Sequence, residues 1–156
     1  MKLHAHHVIV VVVVAAMVLS GIWLFWPEPE PDRAVPLPID ETVVHCNGTF
    51  VCDAWIADNQ SLRSQGLIGT EENETRGMLF FFGSTSYRTF HMNGMSYPID
   101  ILFLNESKEV VEVFSDFSPG DSPHTSSVPV KYALEMVAGR AALLNITVGS
   151  YLDWQD

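Results

Sequence analysis

The chain has 156 residues, room for one domain of ordinary size plus an appendage, and a formal net charge of −11. An isoelectric point near 4.7 and only three lysines (Lys2, Lys108 and Lys131) leave no basic patch. This argues against nucleic acid as a partner and against adhesion to anionic lipid through surface charge.

Residues 1–7 carry Lys2 and the histidines His4, His6 and His7 and read as a solvated cytoplasmic end. Residues 8–26, "VIVVVVVAAMVLSGIWLFW", hold no charge. As a helix they would span roughly 28 Å, the hydrocarbon thickness of a bilayer. Trp23 and Trp26 would lie at one interface, and Lys2 on the other side orients the rest of the chain outward. No A-x-A cleavage site ends the run, so the reading is an uncleaved transmembrane anchor at the cell membrane. Residues 27–39, opening "PEPEPDRAVPLP", form a proline-rich stalk in extended polyproline II. The folded extracytoplasmic domain is then 40–156.

Within the domain, "FVCDAWIAD" alternates as a strand, and "DNQSLRSQG" follows as a short helix with Asp58 as N-cap and Gly66 as its stop. "MLFFF" (Met78 to Phe82) is apolar on both faces and reads as a buried strand. "TFHMNGM" gives a short strand and a turn, and "PIDILFL" (Pro98 to Leu104) a second buried strand. "SKEVVEVFSDF" is a further strand, "SPGDSPHTSSVP" a long loop, "VKYALEMV" a strand, "AGRAALLN" a helical turn and "ITVGSYLDW" a final strand. The fold class is mostly β: a compact β-sandwich or barrel-like domain with one or two short helices, preceded by one transmembrane helix.

Five of the six asparagines open an N-x-S/T sequon: Asn47, Asn59, Asn73, Asn105 and Asn145. That density points to an N-glycosylated exterior surface, set against the plainer reading that Asn, Ser and Thr all favour turns. Cys46 and Cys52 enclose a strong Asn47-Gly48 hairpin signal. A tidy hairpin sets Cys46 opposite Thr49 and Cys52 opposite Val43, so a disulfide needs a wider turn, and paired and free thiols both stay open.

The ordered set "RSQGL" (Arg63 to Leu67), "RGMLFFF" (Arg76 to Phe82), "FHM" (Phe90 to Met92) running into "PIDILFL", "YALEMVAG" (Tyr132 to Gly139) and "ITVGSYL" (Ile146 to Leu152) resembles the domain of unknown function 192 family, also called uncharacterised protein family 0127. The likeness covers Phe50 to Trp154. It implies a small mostly-β fold, commonly exported or membrane-anchored, and no established activity. The chain departs from the pattern at His91, where the family usually has Trp. It departs again at Asn93-Gly94, where a basic residue and Asn are usual, and at Ile68, where Met is.

Asp100 and Glu135 are the candidate chemistry, because each is a carboxylate in an apolar strand, and such a group needs a partner or must stay protonated. Asp100 is expected to be buried and bonded to the Asn93-Gly94 turn or to an arginine, Arg76 first. His91, Met95, Tyr97 and the loop around His124 are expected to line a pocket beside it. Two such carboxylates near a histidine could do general acid–base work. However, the chain holds no G-x-S-x-G, H-E-x-x-H, phosphate-binding glycine loop or nucleotide fingerprint. His91, Met92 and Met95 could bind Cu(I), but Met92 beside Phe90 reads as core, so no metal and no cofactor are assigned. The resulting expectation is a membrane-anchored binding module of the cell envelope for a small ligand or peptide. A hydrolase using the buried carboxylates and a structural glycosylated surface component are the alternatives.

Overall fold

The computed structural model describes residues 39–155. The expected anchor at 8–26, the cytoplasmic end and nearly all of the stalk lie outside them; among the described residues no helix is long and apolar enough to cross a membrane. The described residues form nine strands and two short helices in the order β1 (Glu41–Cys46), β2 (Thr49–Ala57), α1 (Gln60–Gln65), β3 (Arg76–Ser86), β4 (Thr89–Phe90), β5 (Ile99–Leu104), β6 (Val110–Phe117), β7 (His124–Thr125), β8 (Val130–Val137), α2 (Arg140–Leu143) and β9 (Leu152–Asp153).

Seven of the strands form one curled, half-barrel sheet in the order β6-β5-β8-β3-β2-β1-β9, and β4 and β7 make a separate two-stranded ribbon. The expected mostly-β fold is therefore present. A second large sheet, which a sandwich would need, is replaced by helices, loops and the ribbon. Every neighbouring pair in the large sheet is antiparallel except β2 and β3. A parallel pair cannot be joined by a tight turn, so α1 rides in the crossover between them.

Both faces of the sheet are covered. Along β3, Leu79 joins one core with Leu102, Leu134, Met136 and Trp154, while Met78 and Phe80 join the other with Ile101, Phe103, Leu62 and Leu67. The split follows from the alternation of side chains along a strand. The first core is closed by Ala141 of α2 and by Leu152, the second by Leu62 of α1. Gly77 lies where β3 passes closest to its neighbours: a Cβ there would sit 2.7 Å from the Glu135 carbonyl and 2.9 Å from Cys52 Sγ. No other residue fits.

Local differences from the expected elements have local causes. Asn59, not Asp58, caps α1, its Oδ1 accepting from the Leu62 amide at 3.0 Å. The final strand shrinks to Leu152–Asp153 because Asn145 (φ 53°) and Gly149 (φ 92°) turn the preceding chain twice. In the β1–β2 hairpin Asn47 and Gly48 both have positive φ, as a two-residue primed turn requires. A bulge at Val44/His45 then sets Cys52 opposite Val44 rather than Val43. Cys46 and Cys52 are both buried free thiols. Burial, helped by Asp53 and opposed by Arg140 and Arg76, pushes the Cys52 thiol up to about 12, so it is inert as a nucleophile.

All six residues of β5 are buried, and Asp100 is fully so. Its partners are neither the Asn93-Gly94 turn nor Arg76. Oδ1 accepts the Asp116 amide at 3.1 Å and Oδ2 accepts the Ala141 amide at 3.0 Å. Asp116 has φ 55° and sits where the β5–β6 register shifts, so the carboxylate holds a bulge. On its other side it satisfies an amide in the first turn of α2, whose Gly139 cap has no side chain to do so. Replacing Asp100 by Ala strands two amides and should cost about 1–3 kcal/mol in chemical denaturation. Asp100→Asn should not rescue it, because both oxygens accept and one would become a donor facing a donor. Wild-type stability in either variant would refute this account.

Candidate functional site

Glu135 is opposite Ile101 in the β5–β8 ladder, and Asp100 is opposite Met136. The two carboxylates are therefore one residue out of step and point to opposite faces of the sheet. They cannot act on a common substrate, and the paired-carboxylate chemistry considered above has no geometry here. Asp100 belongs to the α2 face, Glu135 to the α1 face.

On the α1 face a cavity of about 380 Å³ opens between α1, β3, β4 and the segment after β4. Such a volume is within the range of small-molecule sites. Phe80, Phe82 and Phe90 form its aromatic wall, with Phe90 edge-on to Phe80 at 5.2 Å between centroids. Arg63, Arg88, His91 and Met95 line it as well, and Glu135 reaches it from β8. Where α1 ends, Gly66 has φ 54° and ψ −141°, a conformation only glycine adopts easily. A Cβ on Gly66 would lie 3.2 Å from Glu135 Oε2. The glycine thus both stops the helix and leaves room in front of the carboxyl.

Glu135 is 6 % exposed, and its Oε2 is buried with no hydrogen-bond partner. Burial pushes its pKa up to about 8, opposed by the Leu67 backbone. At neutral pH it is chiefly the uncharged acid, a hydrogen-bond donor held among apolar groups. Burial likewise pushes up the Tyr97 phenol, with its hydrogen bond to Thr70 opposing and the nearby Glu135 adding to the rise. Tyr97 is itself buried and gives its hydroxyl to a 2.6 Å contact with Thr70 Oγ1.

Of the seven expected site residues, the fold brings Glu135, His91 and Met95 to the cavity and seats Tyr97 close to Glu135. Asp100 is on the other face. Arg76 pairs with Glu41 at 3.2 Å and lies over the Trp55 ring, away from the cavity. His124 stacks on Phe114, with centroids 3.7 Å apart, and bonds Glu112 at 2.6 Å. Both are held by these partners and not by the turn that follows β4. Arg63, Gly66, Arg88 and Phe82 are site residues that the sequence reading passed over. Gly66 is legible in the sequence only as a helix stop.

The sequon asparagines all sit at turns. Asn47, Asn59, Asn73 and Asn145 are exposed and Asn105 is half-buried. Each also has a backbone task. Asn47 and Asn145 adopt positive φ, Asn59 caps α1, and Asn73 and Asn105 accept from the amides of Thr75 and Ser107 at 2.9 Å each. Turn chemistry alone thus accounts for asparagine at these places.

Because Glu135 has a folded pKa of about 8 against an ordinary 4.5, the native state binds more protons than the unfolded one between those values. Its contribution to stability is complete below about pH 4.5 and lost as pH rises to about 8, at up to roughly 1.4 kcal/mol per pH unit. Glu135→Gln should flatten that part of the stability–pH curve measured by denaturant titration. An unchanged slope would show that the carboxyl ionises normally.

The family model DUF192, described as "Uncharacterized ACR", matches residues 42–154. No curated protein matches the chain. Among solved structures, the chain is similar to a proposed transcription regulator from Sinorhizobium meliloti 1021, at 25% identity and a TM-score of 0.71, over 76% of this chain and 96% of that one. It is also similar to a protein of unknown function from Novosphingobium aromaticivorans DSM 12444, at 25% identity and a TM-score of 0.69, over 83% of this chain and 94% of that one.

Proposed function

The chain belongs to the DUF192 family, and from that premise we propose that its β-rich domain is a small-ligand binding module whose site is the α1-face cavity. One observation carries this reading. A buried carboxyl, Glu135, places an oxygen without a partner at an aromatic-walled cavity. Buried polar groups are normally satisfied within the protein, and an unsatisfied one is costly unless something else uses it. The acidic net charge of −11 argues for a small molecule rather than DNA, since there is little positive surface to meet phosphates.

In the same proposal the domain stands outside the cell on a membrane anchor at residues 8–26. The uncharged run and its flanks support this. So does the exposure of four of the five sequon asparagines, which leaves them open to glycosylation.

The cavity reading is tested by screening the full-length protein against a mixed library of neutral and charged small molecules by thermal shift. Ser64 is an exposed α1 residue at the cavity, so Ser64→Trp can cover the opening without disturbing the core. Ligands that stabilise the wild type should lose at least about tenfold in affinity in Ser64→Trp, the scale of one good lost contact. Hits that bind both proteins equally, or no hits, would remove the cavity from consideration.

Topology is tested separately with a tag after Asp156. The tag should be cleaved by protease added to intact cells, and the protein should stay with membranes through an alkaline wash. A soluble form beginning near Pro27 would overturn the anchor.

A further inference from the structure

The polar groups of the cavity are divided between two ends. Arg63 and Arg88 supply one. The two sit over neighbouring residues of β3, Arg63 bonding the Phe81 carbonyl at 3.0 Å and Arg88 lying over the Phe82 ring, and burial and then the charge of Arg63 hold the Arg88 guanidinium below its ordinary value. Like charges brought together favour an anion between them. Among the described residues neither is in an ion pair: the pairs found join Arg76 to Glu41 and His124 to Glu112. Their hydrogen bonds go to carbonyls instead, from Arg63 to Asp58 and Phe81 and from Arg88 to Ser84. Arg88 Nε is buried with no acceptor at all.

Glu135 supplies the other end. In the β3–β8 ladder it faces Met78, whereas Arg63 bonds the carbonyl of Phe81 and Arg88 lies over Phe82, three and four residues further along β3 and so roughly 10–13 Å away at about 3.3 Å per residue. The arginines and this carboxyl therefore do not serve each other, although they line one cavity. Phe80, Phe82 and Phe90 are the wall they share, and Phe82 lies beneath the Arg88 guanidinium at 4.2 Å. A cationic ligand is disfavoured by two arginines and gains little from an uncharged acid. An apolar ligand would leave both Arg88 Nε and Glu135 Oε2 unpaired.

Resting on the cavity being a binding site, we propose that its ligand is a small organic anion with two recognised ends. A carboxylate is held by Arg63 and Arg88. A neutral acceptor, such as a ketone or ester carbonyl, meets the Glu135 carboxyl. An apolar body spans the phenylalanines. Arginine suits the carboxylate because its N–H groups are charged and planar. The protonated glutamic acid suits the carbonyl because it donates without adding a second negative charge to the ligand's own.

Three matched probes test this on the full-length protein by calorimetry. They are 4-acetylbenzoate, 4-acetylbenzamide, which lacks the charge, and 4-isopropylbenzoate, which lacks the acceptor. The first should bind tightest, and each deletion should weaken binding by about tenfold or more. Arg88→Gln should erase the preference for benzoate over benzamide. Glu135→Gln, which keeps an N–H donor, should retain the preference for the acetyl group, and Glu135→Leu should lose it. Equal binding of 4-acetylbenzamide and 4-acetylbenzoate, or of the isopropyl and acetyl acids, overturns the proposal. If the neutral probe still competes with a hit that Ser64→Trp abolishes, the cavity stands as a site and only the ligand class falls. No binding of any probe also overturns the two-ended anion, and leaves the cavity to be judged on the library screen.

Discussion

The Asp100 carboxylate, accepting one amide from the β6 bulge and one from the first turn of α2, is the contact on which the ordering of this domain turns. It is the one charged side chain in a strand whose six residues are all buried. Left without partners it would cost more than any neighbouring apolar contact returns. Satisfied by two amides, it fastens three elements at one point: β5, the bulged end of β6, and α2, which closes the core over Leu102, Leu134 and Met136. With β5 fixed between β6 and β8, the register of β8 follows, and Glu135 is delivered to the other face.

Two carboxylates in adjacent strands thus meet opposite fates. Asp100 uses both oxygens on backbone donors. Glu135 keeps one without a partner, and burial pushes its pKa up to about 8. Its neighbours across the ladders are Met78 and Ile101, which can satisfy nothing. A fold under selection for stability alone would do better with Leu or Met there, since replacing a poorly satisfied buried polar group by an apolar one is often neutral or favourable. The cost falls at the cavity, and this is what supports the binding role proposed for it.

The cavity itself is a product of topology. A parallel β2–β3 pair demands a crossover, the crossover carries α1, and α1 must stop before it runs over β8. Gly66 makes that stop, and because it has no Cβ the space before Glu135 remains open. β4 supplies the opposite wall and is paired with β7, which is held to β6 through His124 and Glu112. His124, expected in the site, instead supports the ribbon beside it.

Local features were legible in the sequence because local physics decides them. The buried run "PIDILFL", the stop at Gly66, the Asn47-Gly48 turn and the ordered motifs of the family all depend on residues a few positions apart. Burial of both carboxylates was legible too, from apolar neighbours on either side. Their partners and faces were not. The amides that satisfy Asp100 are 16 and 41 residues away, and a strand's pattern records which residues share its own faces, not how those faces match the next strand. One step of register between β5 and β8 separates a shared acid–base site from two unrelated carboxyls. A bulge at Val44/His45 likewise decides what Cys52 opposes. Register and bulges are set by how all the strands pack at once, and so only the tertiary structure placed Asp100 as a fastening and Glu135 at a cavity.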